Sequence, residues 1–277
     1  MRFCGLALHD PVPDAKTIWL YREQLTRASA IEGLFGRFDA ALRERGYLAM
    51  GGQIVDATLI EARRPRLNRA EKETIKKGDI PEDWKPARIR QIDRDGRWTL
   101  KRGRKRPELS DRSPSDSSGQ KRQATEIVVP VFGYKNHVGI DRTHGFIRRA
   151  SITHAAAHDG GQLAALLDYD NLASRVWADT AYRSEVNLAL LDRCGLILQF
   201  QRSKPRGKPM PAHIRRGNRA RAKVRARVEH VFAAQKRRLH LVIRAIGLAR
   251  AKTKITLANL AYNMRRLVWM EGQGVPA

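Results

Sequence analysis

The chain is poor in cysteine and in acidic residues, and it contains no long apolar run. Its two cysteines, Cys4 and Cys194, lie far apart without ligand-like spacing, which argues against a disulfide framework or a zinc site. No stretch approaches the roughly 18–20 apolar residues needed to cross a bilayer. The start, MRFCGLALHDPVPD, lacks the long apolar segment of a secretory signal. Acids number 28 Asp and Glu against 54 Lys and Arg, a formal net charge of +26 at pH 7. That imbalance excludes a neutral enzyme of small metabolites as the default and points to a polyanionic partner, nucleic acid first. A length of 277 residues allows one large domain or two small ones, with enough material to bury a core.

What is present reads as an α/β pattern. Asp10-Pro11-Val12-Pro13-Asp14 is a turn, and Asp14 can cap a helix through Thr17, Trp19, Tyr21 and Leu25. A second helix is expected over about 31–42, where Leu34, Phe35, Phe38, Ala41 and Leu42 recur at helical spacing. Gly46, Gly51 and Gly52 end this helical N-terminal segment, 1–50. Residues 53–58 then read as a buried strand ending in a carboxylate. From about 61 to 125 hydrophobic periodicity is lost, and 108–118 (ELSDRSPSDSS) has loop composition, so a charged, partly disordered insert is expected. Beyond it, 129–140 reads as a strand and 145–153 as its hairpin partner. A helix through Leu163, Leu166 and Leu167 follows, then a strand 175–179, a helix 184–194 and a strand 196–200. A basic Pro/Gly loop, 201–218, precedes two long helices at about 219–239 and 253–270. The expected fold is α/β, a mixed sheet with flanking helices over 51–270.

Metal-assisted phosphodiester chemistry needs hard oxygen ligands held together in a dry cleft. Asp56 and Asp179 each follow a short apolar strand, where a side chain can project into a crevice. Taken singly, the ordinary reading of either is structural, a turn residue or a helix cap. Glu229 differs, being the only acid between Arg193 and Met270. It reads either as a neutraliser of neighbouring charge or as part of a site. With Val224, Val228, Val231 and Leu239 as the core face, Arg225, Glu229, Phe232 and Lys236 form a second stripe. One carboxylate flanked by two cations suits a site that holds a metal and grips phosphate oxygens. His154, His158 and Asp159 are a weaker metal candidate, with Asp159 read as a helix cap. Lys135 and His137 alternate on a strand and either touch phosphate or form a solvated face. Arg183, just after Asp179, and the tract holding Arg202 and Lys204 are further candidates for the DNA backbone, with no base reading implied.

These pieces resemble a known family. VDATLI around Asp56, RQIDRDGRWTLKRG, FGYKNHVGID, THAAAHDGGQ, VWADTAYRS around Asp179 and RAKVRARVEHVFAAQKRR around Glu229 are similar to bacterial insertion-sequence transposases of the DDE type. The similarity is to the group with a Y-x2-R-x3-E-x6-K signature, in particular the insertion-sequence-five family. Arg225, Glu229 and Lys236 fill the R, E and K places; the tyrosine place holds Ala222. The resemblance implies a ribonuclease-H-like fold and Asp56, Asp179 and Glu229 as catalytic, metal-holding acids for two Mg²⁺ or Mn²⁺ ions. It implies cleavage at the element's ends and strand transfer into target DNA, by a homodimer on double-stranded DNA in the bacterial cytoplasm, at the nucleoid. The helix with Pro11, Asp14 and Thr17 resembles an element that family members carry well inside the chain, so an N-terminally truncated copy is expected. Two rivals stand beside this reading. One is an inactive remnant that only binds DNA. The other is a different ribonuclease-H-like nuclease such as a junction resolvase, which leaves the Arg225/Glu229/Lys236 stripe unexplained.

Overall fold

The structure, a computed structural model, describes residues 10–105, 125–202 and 209–273, with Ala7 and Gly207. Asp14 caps α1 (Ala15–Arg27), its carboxylate accepting the Thr17 N–H at 2.6 Å. After α2 (Ile31–Glu44), Gly52 adopts a φ of 90°, and a Cβ there would stand 2.5 Å from the Arg175 carbonyl oxygen. Only glycine allows the backbone so close at that angle. β1 (Gln53–Glu61) follows. Asp56 thus lies in the middle of a nine-residue strand, not at its end, because β1 keeps its pairing to β3 as far as Glu61.

The region expected to be a partly disordered insert is ordered over much of its length. It carries α3 (Arg69–Lys77), α4 (Pro86–Gln91) and β2 (Arg97–Lys105). Local caps replace hydrophobic periodicity there. Asn68 accepts the Glu71 N–H while Glu71 accepts the Asn68 N–H, a capping box, and Gly78 closes α3 at a φ of 98°. Glu71 also takes the Trp84 indole N–H and Arg88, which ties α3 to α4. The stretch 108–118 lies outside the described residues.

Next come β3 (Thr125–Asp141), β4 (Ile147–His154), α5 (Leu163–Leu166), β5 (Arg175–Trp177), α6 (Glu185–Arg193) and β6 (Ile197–Leu198). The last part holds α7 (Ala212–Arg225), α8 (Glu229–Ala233) and α9 (Leu248–Gly272). Residues 212–218, expected in a loop, belong to α7. The strands form one mixed six-stranded sheet ordered β2-β3-β1-β5-β6, with β4 on β3. β3 pairs antiparallel with β1, β2 and β4, whereas β5 runs parallel to both β1 and β6. Two apolar layers sandwich this sheet. Ile54, Val138, Ile140 and Ile147 pack on Val228, Val231 and Phe232; Val55 and Val176 pack on Leu163, Leu166, Leu191 and Phe200. Alternation along β1 sends neighbouring residues to opposite layers.

The N-terminal helices dock on α9 through polar contacts. Glu23 takes Arg250 at 2.7 and 2.8 Å, the Thr26 hydroxyl donates to Thr253, and Lys252 pairs with Glu32. Arg148, buried, reaches Asp39, Asp141 and the Tyr47 carbonyl. The Arg250 guanidinium holds the Glu23 carboxyl at about 2, against the upward push of burial. A depressed folded-state pKa contributes stability above the usual value of 4.5 that is lost as pH falls towards 2. Glu23→Gln should therefore lower stability by about 1–2 kcal/mol at pH 7. Urea unfolding of parent and variant should show this gap closing between about pH 4.5 and 2; a gap constant with pH would reject the assignment.

Candidate active site

Asp56 lies on the sheet face that packs under α7 and α8, and it is 8% exposed. One carboxylate oxygen accepts the Ala57 N–H at 2.8 Å and the other takes the Arg225 guanidinium. Burial pushes its pKa up to about 6; Arg225 and the Ala57 N–H pull it down, and the charge of Asp179 pushes it up again. Asp56 on β1 and Asp179 in the turn after β5 oppose each other's ionisation. Asp179 follows β5 and caps the turn Thr180–Tyr182, accepting the Ala181 N–H at 2.8 Å. The cap reading of Asp179 and its place beside Asp56 hold together.

Glu229 opens α8 and is exposed. It lines a cavity of about 590 Å³ with Asp56, Thr58, Arg225, Phe232 and Lys236. The whole stripe read from helical spacing faces that cavity. Lys236 stands near Lys101, whose charge, after desolvation, lowers the Lys236 pKa, while Glu229 and Glu61 raise it. Among the described residues, no three His, Cys, Asp or Glu side chains stand together closely enough to hold one ion. This applies to His154, His158 and Asp159 as well. The oxygen donors that line the cavity, the Asp56 and Glu229 carboxylates and the Thr58 hydroxyl, are of the hard kind that suits a divalent cation. The buried Asp56 carboxylate already draws a guanidinium, so a cation is favourable beside it.

Other candidates sit elsewhere. Lys135, opposite Leu59 on β1, belongs to the other face of the sheet, where its ammonium donates to Asp159 at 2.8 Å and to the Ala157 carbonyl. It is a structural tie here, not a residue lining the cavity. Asp159 correspondingly serves Lys135 and not the amides of its own turn. Burial pushes the pKa of His137, on that same face, down to about 4, so the ring is neutral at pH 7. Arg183 and Arg202 are exposed, and the backbone of Arg202 exchanges two hydrogen bonds with Asn218. Lys204 lies outside the described residues.

Sequence reasoning missed a buried amide network beneath the cavity. Asn136 on β3 donates to Asn259 on α9 at 2.8 Å and to Gln235 at 3.3 Å, and Gln235 donates to Asn259 at 2.7 Å. All three are fully buried. Gln235 lies in a π turn, Ala234–Arg238, that widens the helical run between Phe232 and Lys236; such turns recur at functional sites. The signal was available, because Gln235 occupies a place on the Val228, Val231, Leu239 core stripe. Tyr182 was also missed. Its hydroxyl is buried without a hydrogen-bond partner, and burial first, then Asp56, Asp159 and Asp179, raise its pKa.

The catalytic-domain pattern has an independent counterpart. Residues 48–264 match the family described as Transposase DDE domain. The chain belongs to that family. Its mixed sheet flanked by helices is the ribonuclease-H-like arrangement of DDE transposases, and membership makes it a nucleic-acid-processing protein whose partner is DNA. No solved structure matches the chain. Among the described residues, no helix is long and apolar enough to cross a membrane.

Gln235→Leu removes one member of the amide network and leaves buried groups on Asn136 and Asn259 less satisfied. The expected cost is about 1–3 kcal/mol, read as a lower midpoint in urea unfolding. An unchanged midpoint would show that the network contributes nothing.

Proposed function

We propose that this chain is an insertion-sequence-five-type transposase that cuts DNA at its element's ends and joins the freed 3′-OH to target DNA. The observation that carries this reading is the buried Asp56 carboxylate, whose ionisation the charge of Asp179 opposes, in the cavity it lines with Glu229, Arg225 and Lys236. In the proposal Asp56, Asp179 and Glu229 hold two Mg²⁺ or Mn²⁺ ions. Bound there, the ions supply activation of the attacking oxygen and stabilisation of the leaving one. Arg225 holds Asp56 in place and neutralises it until the cavity fills. Lys236 and the exposed Arg183 and Arg202 steady the phosphates of the substrate. The acting unit in this reading is a homodimer on the DNA.

A second reading, a remnant that binds DNA without cutting it, draws on one feature: the three acids do not enclose a single ion site while Arg225 occupies Asp56. One experiment separates the two. Asp56→Asn, Asp179→Asn and Glu229→Gln should each reduce Mg²⁺-dependent nicking and joining of terminal DNA by about a thousandfold or more, with duplex affinity changed only a few-fold. A parent protein that binds but neither nicks nor joins would establish the remnant. Near-normal cutting by the Asp179 variant would remove that residue from the mechanism.

A further inference from the structure

Strand pairing continues past the end of β1. The Ile243 N–H donates to the Glu61 carbonyl at 2.8 Å and the Arg63 N–H donates to the Ile243 carbonyl at 3.0 Å. Ala62 lies opposite Ile243 in a parallel bridge. The next residue on each segment is an arginine, so Arg63 and Arg244 run side by side on segments about 4.8 Å apart. Like charges placed opposite one another are unfavourable. Among the described residues, neither guanidinium has a carboxylate partner.

Both line a cavity of about 640 Å³ together with Arg64, Arg66 and Arg88. The acids nearby are already engaged. Glu71 takes Arg88, and Asp93, also in the wall, accepts the Tyr134 hydroxyl and the Asp95 and Gly96 N–H groups. On its other side Arg244 borders a second basic hollow with Arg22, Arg250 and Lys254. There the charges of Arg22 and Arg244 add to desolvation in lowering the Lys254 pKa. Chain continuity relates the hollow to the Asp56 cavity. Lys236 lines the Asp56 cavity and the neighbouring one, which contains Lys101, His240 and Val242. Arg244 is two residues beyond.

We propose that the Arg63/Arg66/Arg244 hollow is a second phosphate-binding site, which grips the backbone of duplex DNA away from the phosphate being cut. It rests on the reading of the Asp56 cavity as the cutting site. Planar guanidinium forks without carboxylate partners, converging in a concavity, match phosphate oxygens bidentately. The spacing fits as well. Seven residues of extended chain from Asp56 to Arg63 span about 23 Å at roughly 3.3 Å per residue, which corresponds to about seven base pairs along a duplex axis at about 3.4 Å each.

The test is the salt dependence of binding to a fluorescent 20-base-pair duplex in EDTA, where no cutting occurs. Each neutralised phosphate contributes about 0.9 to the slope of log affinity against log salt. Arg63→Gln/Arg66→Gln/Arg244→Gln should lower that slope by about 2–3 and weaken binding tenfold or more. The double variant Arg63→Gln/Arg244→Gln, with less burden on folding, should lower it by about 1–2. Arg37→Gln/Arg175→Gln/Arg193→Gln, exposed cations distant in the fold, should change it by less than about 1. Equal losses in the two triple variants would overturn the site in favour of general charge. So would lost binding of inorganic pyrophosphate with an unchanged DNA slope, which would make it a small-anion pocket. Because the readout is binding without metal, its failure leaves the cutting assignment standing, and a failed cutting experiment leaves this site standing.

Discussion

A carboxylate held almost dry on the face of a sheet must have a cation beside it. Asp56 meets that condition through Arg225, and the pairing fixes where the helical run 212–238 crosses β1. Removing the carboxylate from water favours its neutral form, and Asp179 works in the same direction. Arg225 offsets both. The site is therefore electrostatically poised for positive charge, in a molecule whose surface is already strongly cationic. Such a site exchanges one cation for another more readily than it tolerates none.

The buried amides beneath the site complement that charge pair. Asn136, Gln235 and Asn259 join the sheet, the helical run and α9 at one point. Apolar packing alone would let the helix slide along its stripe. Directional hydrogen bonds in a dry setting do not, since every shift leaves a polar group unsatisfied. The π turn at Gln235 is the local adjustment that brings its amide inward while Glu229 and Lys236 stay on the cavity side. Packing, polar pegging and the aim of the stripe are consequences of one geometry.

Positive charge has two fates in this molecule. Some of it is spent internally: Arg148, Arg43 and Arg250 hold α1 and α2 to the rest of the fold through Asp39, Asp141, Asp168 and Glu23. Among the described residues, other arginines have no acid partner and gather together, as at Arg63 and Arg244. Internal ion pairs explain why the N-terminal helices are part of the body of the protein. The unpaired arginines leave positive charge free to face a polyanionic partner.

The order of helices and strands outside 61–105 was legible from apolar periodicity, and so was the Arg225–Lys236 stripe, because spacing along a helix is a local property; Asp56 and Asp179, taken singly, read as structural and stood out only through the family resemblance. The residues 61–105 were misread, since α3 and its neighbours are held by a capping box, Trp84 and Arg88 and not by an apolar stripe. Lys135 looked available on its strand until the fold placed Asp159 against it. Chain order also says nothing of Arg63 beside Arg244 or of Asn136 beside Gln235. Those neighbours are decided by sheet pairing and helix docking across more than ninety residues. Sequence by itself determined which faces are apolar and where the scarce acids fall. Tertiary structure decided which charges find partners, because the energy of a charge depends on what surrounds it in space.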